Sequence, residues 1–390
     1  VDGEVNSGAM ATLTVKGPAD AVTGSNFSCS IHGNAGENTF SDTVTLPISA
    51  PYTVSAGEMV LGLKDTCYFL ITHSASGQPA DGVDLYQGEN LLGTSDAEGK
   101  VPVTINEGQT TLTVTAKDSE GGVSSALTAS VYLPKGKDDG TPTYVWCNAA
   151  NSADSLNVGW LAEPTKADNC AQLRLAESSE AVETGTVYTG TCQLMTFPVD
   201  NAAAYVCGAK AGNLKSGTTY YYQVGDGTHW SEIQSFTTGY ANTDMKAVVF
   251  GDLQESNNTT LTEILKDPKL ADCDLAIQTG DLVDNGGNYG FWDSTLKMLS
   301  PIKFGRLFAV GNHEQDGSGD PNTTFYNQGD SNYYSAVYGN TFVATLSFNG
   351  FTPEALAKLV SDAKASNATW KLLVMHQPVY YTNAIAGISE

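Results

Sequence analysis

Positive charge is the scarcest feature of this sequence. The 390 residues contain 19 Lys and Arg against 43 Asp and Glu, which gives a formal net charge of −24 at pH 7. A surface that binds nucleic acid or anionic lipid needs basic residues to neutralise phosphates, so the composition argues against both kinds of partner. It is compatible with an exported protein and with sites that collect cations.

Long apolar runs are absent as well. No stretch approaches the roughly 20 consecutive apolar residues that a membrane-spanning helix requires. The chain begins at Val1, without Met and without a charged segment followed by an apolar one. This is compatible with a secreted or cell-surface protein whose secretory signal has been removed.

Cysteine is sparse, and no CxxC pair suggests a zinc knuckle. The distribution along three regions predicts a Cys29–Cys67 disulfide, two disulfides in the middle region and a free, buried thiol at Cys273, as in an oxidising compartment. Three connectivities of the middle group stay open, and seven reduced thiols are the alternative. The middle group consists of Cys147, Cys170, Cys192 and Cys207.

Short alternating runs recur in residues 1–134, among them ATLTVKG, DTVTLPI, KVPVTIN and TTLTVTAKD. Apolar residues alternate with polar ones between turn residues, which is typical of half-buried strands in a sandwich. We expect one or two immunoglobulin-like modules here, similar in composition to those of secreted bacterial proteins. A spacer or display role is expected, and carbohydrate or protein binding is the alternative. Residues 135–142 are predicted to be a linker.

A second β-rich module is expected over residues 143–239. Its last run, LKSGTTYYYQVGDGTHWSEIQSFTT, combines a turn at Gly217 and a DG turn with alternating strands. This run resembles the end of the fibronectin-III-like N-terminal domain of purple acid phosphatases, which leads directly into their catalytic domain. The tyrosines and Trp230 are expected to form sheet core, and a place at the active-site mouth is the alternative.

From Met245 onwards, strands alternate with helices. MKAVVF, CDLAIQ, RLFAV, FVATLSF and WKLLVM are apolar strands, while NTTLTEILKD and FWDSTLKML have helical spacing. TPEALAKLVSDAK begins with Thr352 as a candidate N-cap and Pro353 at the first helical position. Residues 240–390 are therefore predicted to form an α/β layered domain with buried strands.

Polar residues directly follow four of these strands. Open α/β sheets bind ligands at the carboxyl ends of their strands. Asp, Asn and His supply the mixed nitrogen and oxygen donors of borderline metals, and one carboxylate can bridge two ions that clamp a phosphate. The segments are GDLQ after VVF, GDLVDNGG after AIQT, GNHE after LFAV and HQP after LLVM.

This set, in this order, resembles the calcineurin-like metallophosphoesterases, and the preceding module points to their purple-acid-phosphatase-like branch. The resemblance implies that Asp252 binds a first metal ion and that Asp281 bridges both ions. Asn312 and His376 would bind the second ion, and His313 would protonate the leaving oxygen or stabilise the transition state. The implied cofactors are two divalent or trivalent ions, iron, zinc or manganese, and the implied substrate is a phosphate ester.

Two positions depart from the family pattern. Gln254 stands where many members have a histidine; its amide oxygen remains a candidate metal ligand but binds transition metals less well than imidazole. Asp284 stands where purple acid phosphatases have the tyrosine that ligates iron(III), so a purple iron–tyrosinate site is not expected. Glu314 is expected to order its loop rather than to bind metal.

Two further histidines of the family, from a downstream GHxH motif, have no counterpart here. The sequence ends at Glu390, fourteen residues after His376, and its other histidines, His32, His73 and His229, precede the domain. The domain is therefore expected to be truncated, and either a further segment of a longer polypeptide or a second chain would complete it. Apolar surface of FVATLSF and WKLLVM should then be exposed or paired with something else.

The sequence thus predicts N-terminal all-β immunoglobulin-like sandwiches followed by an α/β metallophosphoesterase domain. We expect the complete protein to be a secreted enzyme that hydrolyses phosphate esters by a two-metal mechanism. The alternative is a non-enzymatic, adhesin-like or structural surface protein with a degenerate phosphatase scaffold. This chain alone should bind divalent metal weakly and hydrolyse an aryl phosphate negligibly, because two histidine ligands are missing and Gln254 replaces a third.

Overall fold

The computed structural model describes residues 26–35, 38–47, 49–148, 153–239, 243–254, 258–316, 325–326 and 332–378. The chain divides into two units, residues 1–59 with 64–131 and residues 60–63 with 132–390. The predicted strand ATLTVKG lies outside the described residues. Among those described, none of the helices has the length and apolar content that crossing a bilayer demands.

The first unit is built from antiparallel strands. Its strands are β1 (Asn26–Ala35), β2 (Asn38–Pro47), β3 (Tyr52–Ala56), β4 (Tyr68–His73), β5 (Asp84–Gln87), β6 (Asn90–Thr94), β7 (Lys100–Pro102), β8 (Thr111–Lys117) and β9 (Leu127–Ser130). The sheets β3-β4-β7 and β6-β5-β8-β9 share one apolar core, and β1 and β2 form a separate hairpin. In β8, Leu112, Val114 and Ala116 face this core while the threonines between them face outwards. The alternating pattern therefore predicted the sandwich correctly.

The second unit begins with another pair of sheets. Its strands are β10 (Leu133–Pro134), β11 (Thr143–Asn148), β12 (Leu156–Ala162), β13 (Gln172–Ala176), β14 (Thr186–Thr189), β15 (Thr191–Phe197), β16 (Ala202–Ala211), β17 (Thr219–Gly225) and β18 (Gln234–Thr237). Tyr220 and Tyr222 lie in the core between the sheets, as expected. Trp230 is half-buried and lies outside this core, with the Arg174 guanidinium 3.3 Å from its ring centre.

The segment predicted to be a linker lies against this module. The Lys135 N–H donates to Ala203 O at 2.7 Å. Gly140 lies so close to the His229 ring that a Cβ at this glycine would be 3.0 Å from the ring's Cγ. Its φ of +78° also favours glycine. Backbone bonding and close packing therefore hold residues 135–140 on the module surface.

The α/β part follows with two sheets face to face. Its elements are β19 (Ala247–Phe250), α1 (Asn258–Ile264), β20 (Leu275–Gln278), α2 (Tyr289–Leu299), β21 (Gly305–Phe308), β22 (Tyr333–Tyr338), β23 (Thr341–Leu346), α3 (Pro353–Ala365) and β24 (Trp370–Met375). The parallel strands β21-β20-β19 continue the sheet of β11, and β22-β23-β24 form the second sheet. Apolar side chains fill the space between the sheets, while α1 and α2 cover the first sheet and α3 packs on the second.

Helix ends in this part follow the sequence signals. Thr352 caps α3 by accepting the Ala355 N–H at 3.1 Å, and Pro353 occupies the first turn, as predicted.

The C-terminal end of α2 is bound by Arg306, which is buried and donates from Nη2 to Leu299 O at 2.7 Å. A guanidinium at a helix C-terminus is attracted to the negative end of the helix dipole. Arg306 therefore fastens α2 to β21.

The expected exposure of the last two strands is half right. In β24, Trp370 is 66% exposed and Leu372 is 39% exposed. β23 is buried along its whole length, so the prediction for FVATLSF is wrong. The reason is that β22 and β24 flank β23, while the facing sheet and α3 cover its two faces.

The cysteines correct the predicted disulfide pattern. Cys192 and Cys207 are directly opposite on β15 and β16 and form a disulfide. The second bond of this group is absent, because the Cys147 thiol is buried 3.4 Å from the Tyr222 hydroxyl, whereas the Cys170 thiol is exposed and donates to Asp226 O. Cys273 is half-buried rather than buried. The side chain of Cys29 lies outside the described residues, so its bond to Cys67 stays a prediction.

Loss of the Cys192–Cys207 bond should destabilise the second module. The two cysteines are 15 residues apart, and opening a loop of this length lowers the free energy of unfolding by about 3 kcal/mol. Calorimetry of a Cys192→Ser/Cys207→Ser double variant should show a lower Tm, while a Cys170→Ser control should melt like the wild type. Equal melting of all three proteins would contradict the structural role of the bond.

Candidate metal centre

The turns after β19 and β20 interlock through their backbones. Asp252 N–H donates to Gly280 O at 3.0 Å, and Leu253 N–H donates to Asp281 O at 2.9 Å. Asp252 and Asp281 have φ values of 50° and 55°, in the left-handed region that non-glycine residues seldom adopt. Such strain persists where the surrounding structure enforces it, most often at functional sites. The hydrogen bonds between the two turns therefore hold both aspartates in an unfavourable backbone conformation.

Three of the side chains predicted from strand ends converge. Asp252, Asp281 and His376 each offer one ligand atom, and these atoms lie within 4.8 Å of one another. His376 Nε2 is 3.2 Å from Asp281 Oδ2, and His376 Nδ1 is 3.1 Å from Thr279 O. A proton on Nδ1 suits this carbonyl contact and directs Nε2 towards the carboxylates. The Thr279 carbonyl could not be anticipated from sequence, since a backbone group leaves no residue signal.

Glycine is required where this cluster is most crowded. A Cβ at Gly280 would lie 2.3 Å from His376 Nδ1, and Gly280 has a φ of +110°. A Cβ at Gly311 would lie 2.1 Å from Asp281 Oδ1. Any side chain at either position would displace the cluster. The glycines of GDLV and GNHE therefore allow the backbone to lie close to the side chains of the cluster.

The site's electrostatics centre on Asp281. Burial acts to raise the pKa of Asp281, but the hydrogen bonds from His376 and from the His313 N–H outweigh it, so the pKa lies below its usual range. The hydrogen bond to Asp281 raises the pKa of His376. Within the described residues, the ion-pair partners of Asp281 are histidines, not lysine or arginine. Two carboxylates and an imidazole at one point fit a borderline metal cation.

His313 lies beside the cluster. Its backbone N–H donates to Asp281 Oδ1 at 3.1 Å, and its Nε2 is 3.8 Å from Asp281 Oδ2. Its Nδ1 lies 2.5 Å from Asp284 O, and this contact raises the pKa of His313. The second carbonyl, like that of Thr279, has no sequence signal. The Asp284 carbonyl thus orients the imidazole so that Nε2 points towards the Asp281 carboxylate.

The two amide candidates occupy the same loops. Asn312 is exposed and lies between Gly311 and His313. Gln254 is half-buried, has a φ of 30°, and its N–H is 3.5 Å from Asp281 O. Their backbones thus border the cluster of Asp252, Asp281 and His376. That either amide binds a metal stays a prediction.

Glu314 orders the loops after β20 and β21, as expected. It is completely buried, and its carboxylate accepts the N–H groups of Gly311 at 2.7 Å, Asp281 at 3.2 Å and Leu282. Burial raises its pKa to about 7 in spite of these bonds. One carboxylate therefore joins the loop after β20 to the loop after β21.

Replacing Glu314 by Ala should destabilise the second unit. Three buried N–H groups would lose their acceptor at about 1 kcal/mol each or more, so the free energy of unfolding should fall by about 3 kcal/mol. Urea titration measures the loss, with the exposed Glu183→Ala as control. A Glu314→Ala variant as stable as this control would show that the three bonds contribute little.

Comparison with known proteins agrees with this arrangement. A family model described as "Purple acid Phosphatase, N-terminal domain" matches residues 142–238. A second one, described as "Calcineurin-like phosphoesterase", matches residues 245–388. The first match covers the second β module, and the second covers every side chain of the candidate site.

Two relatives show the same relationship. A protein of Arabidopsis thaliana named "Probable inactive purple acid phosphatase 9" is 32% identical over 128 residues, which are 28% of this chain and 20% of that protein. The chain thus spans about a fifth of this relative's length. The structure of a purple acid phosphatase isolated from yellow lupin (Lupinus luteus) seeds is 16% identical, with a TM-score of 0.51, over 86% of this chain and 74% of that one.

At 16% identity, the likeness to the lupin structure concerns the fold alone. The two family matches add the order of the two domains along the chain. Residues 245–388 therefore match the calcineurin-like phosphoesterases, and residues 142–238 match the N-terminal domain of purple acid phosphatases.

Proposed function

We propose that the complete protein is a secreted phosphoesterase that hydrolyses phosphate esters with the help of two metal ions. The observation that carries the proposal is the convergence of Asp252, Asp281 and His376 at the strand ends of a calcineurin-like phosphoesterase domain. The Cys192–Cys207 disulfide and the acidic composition favour secretion. The first unit would act as a spacer or display module.

Each metal-binding candidate is given the role that the resemblance to the metallophosphoesterases implies. Asp252 would hold the first ion, Asp281 would bridge both, and Asn312 and His376 would hold the second, with Gln254 as a weaker ligand near the first. Two bound metal ions would supply Lewis acidity towards a phosphoryl oxygen and lower the pKa of water. Iron, zinc and manganese all suit these donors.

His313 would handle the proton of the leaving group. Its Nδ1 faces Asp284 O, so Nε2 is the nitrogen that can give a proton to a departing alkoxide. That contact also raises the pKa of His313, which favours the protonated form needed in a general acid. Glu314 and the carbonyls of Thr279 and Asp284 would hold the two histidines in place.

Metal-dependent turnover tests this function. The complete protein, stripped with a chelator, should not hydrolyse p-nitrophenyl phosphate, and addition of Mn²⁺, Zn²⁺ or iron should restore turnover. A parallel assay with bis(p-nitrophenyl) phosphate distinguishes monoester from diester preference. Turnover that survives complete metal removal, or a reloaded protein that is inert towards both esters, would overturn the proposal.

A non-enzymatic scaffold is the second candidate. Gln254 in place of an imidazole ligand favours it, as does the name of the Arabidopsis thaliana relative, which describes that protein as probably inactive. Under this alternative the fold would display the β modules and would not turn over substrate. The reloading experiment separates the two, because only the enzyme regains activity with metal.

A further inference from the structure

A turn of the second β module holds the N-terminus of α2. The turn lies between β15 and β16, where Asp200 Oδ1 accepts the Tyr289 N–H at 3.1 Å and Oδ2 accepts the Gly290 N–H at 3.1 Å. Beside it, the Val199 N–H donates to Gly287 O at 3.0 Å. The first amide groups of a helix carry partial positive charge, so a carboxylate is a strong partner for them.

Residues 284–290, here termed the bridging segment, run from the loop beside His313 to the first residues of α2. Their C-terminal end binds Asp200, and their N-terminal end contacts His313. Asp284 O lies 2.5 Å from His313 Nδ1, and the Gly286 N–H donates to His313 O at 2.8 Å. Trp292 fixes the middle by donating from Nε1 to Gly286 O at 2.9 Å. A short run of backbone thus joins the Asp200 turn to the imidazole.

We propose that Asp200 is a positioning residue for His313, acting through the bridging segment. Together with the N-cap Asn288, which accepts the Phe291 N–H at 3.3 Å, its two hydrogen bonds fix where α2 begins. The start of α2 in turn fixes the Asp284 carbonyl and the Gly286 amide that hold His313. The catalytic consequence rests on the proposed function. The β module preceding the phosphoesterase domain therefore contributes to the alignment of the reacting groups, and a displacement of about 1 Å there costs up to about 100-fold in rate.

Amide hydrogen exchange tests the link without any need for activity. In the complete protein, Asp200→Ala should speed exchange at Tyr289 and Gly290, which lose their acceptor, and also at Gly286, which does not contact Asp200. Asp154→Ala, an exposed aspartate of the same module, is the matched control and should leave all three unchanged. Faster exchange at Tyr289 and Gly290 with unchanged protection at Gly286 would overturn the proposal.

Leaving-group dependence tests the catalytic consequence. Asp200→Ala should lower kcat about 10- to 100-fold for an alkyl phosphate, whose alcohol needs a proton, and far less for p-nitrophenyl phosphate, with KM nearly unchanged. Asp200→Asn keeps one oxygen acceptor and should recover part of the rate; it also serves if the alanine variant fails to fold. An equal loss on both esters would reduce Asp200 to a structural anchor. A wild type inert towards all esters would refute the proposed function, while the exchange experiment would still decide the link.

Discussion

Asp281→Asn is expected to lower metal-dependent hydrolysis by the complete protein by about 10³-fold or more. Asp281 pairs with both histidines of the site, and its carboxylate faces the point shared with Asp252 and His376. Bridging two ions takes a charged carboxylate, and losing that charge removes several kcal/mol of stabilisation of phosphoryl charge, at 1.36 kcal/mol per factor of ten.

The measurement is kcat/KM for p-nitrophenyl phosphate at saturating Mn²⁺ or Zn²⁺, together with metal affinity by calorimetry. Asn preserves the shape of the side chain, so its backbone contacts should survive and the protein should fold. Asp154→Asn serves as the control for removal of one negative charge from an exposed position. Retention of wild-type turnover by Asp281→Asn would exclude Asp281 as the bridging ligand.

His313→Ala is expected to slow hydrolysis by about 10²–10⁴-fold, the usual contribution of a general acid. The loss should be greatest for esters of alcohols with high pKa values and smallest for p-nitrophenyl phosphate, because a good leaving group departs without a proton. Metal content should stay near that of the wild type, since His313 lies beside the three-residue cluster rather than in it. His73→Ala, exposed and in the first unit, is the control. Equal losses across all leaving groups would point to a role in binding instead.

The sequence was most informative where a local pattern has a single structural reading. Apolar strands that end in GD or HQ predicted that Asp252, Asp281 and His376 meet at strand ends, and the structure brings these three together, with His376 following a strand of the second sheet. The Thr352 cap of α3 was equally legible, because capping depends on residues three positions apart. Such signals are contained within a few neighbouring residues.

Features that depend on distant parts of the chain were not legible. Cys147 and Cys170 stay apart because one points into the core and the other lies in an exposed loop, which a count of cysteines cannot show. The burial of β23 depends on two sheets and α3 assembled around it. Asp200 is about 90 residues from the amides it binds, and a single aspartate in a turn carries no sign of such a partner.

Anomalous scattering from crystals of the complete protein grown with Zn²⁺ or Mn²⁺ would show whether two metal ions bind at Asp281. We expect two anomalous peaks roughly 3.5–4 Å apart, with the Asp281 carboxylate between them, Asp252 at one ion and His376 at the other. Crystals that take up metal elsewhere, or that show no peak within coordination distance of Asp281 and His376, would contradict it.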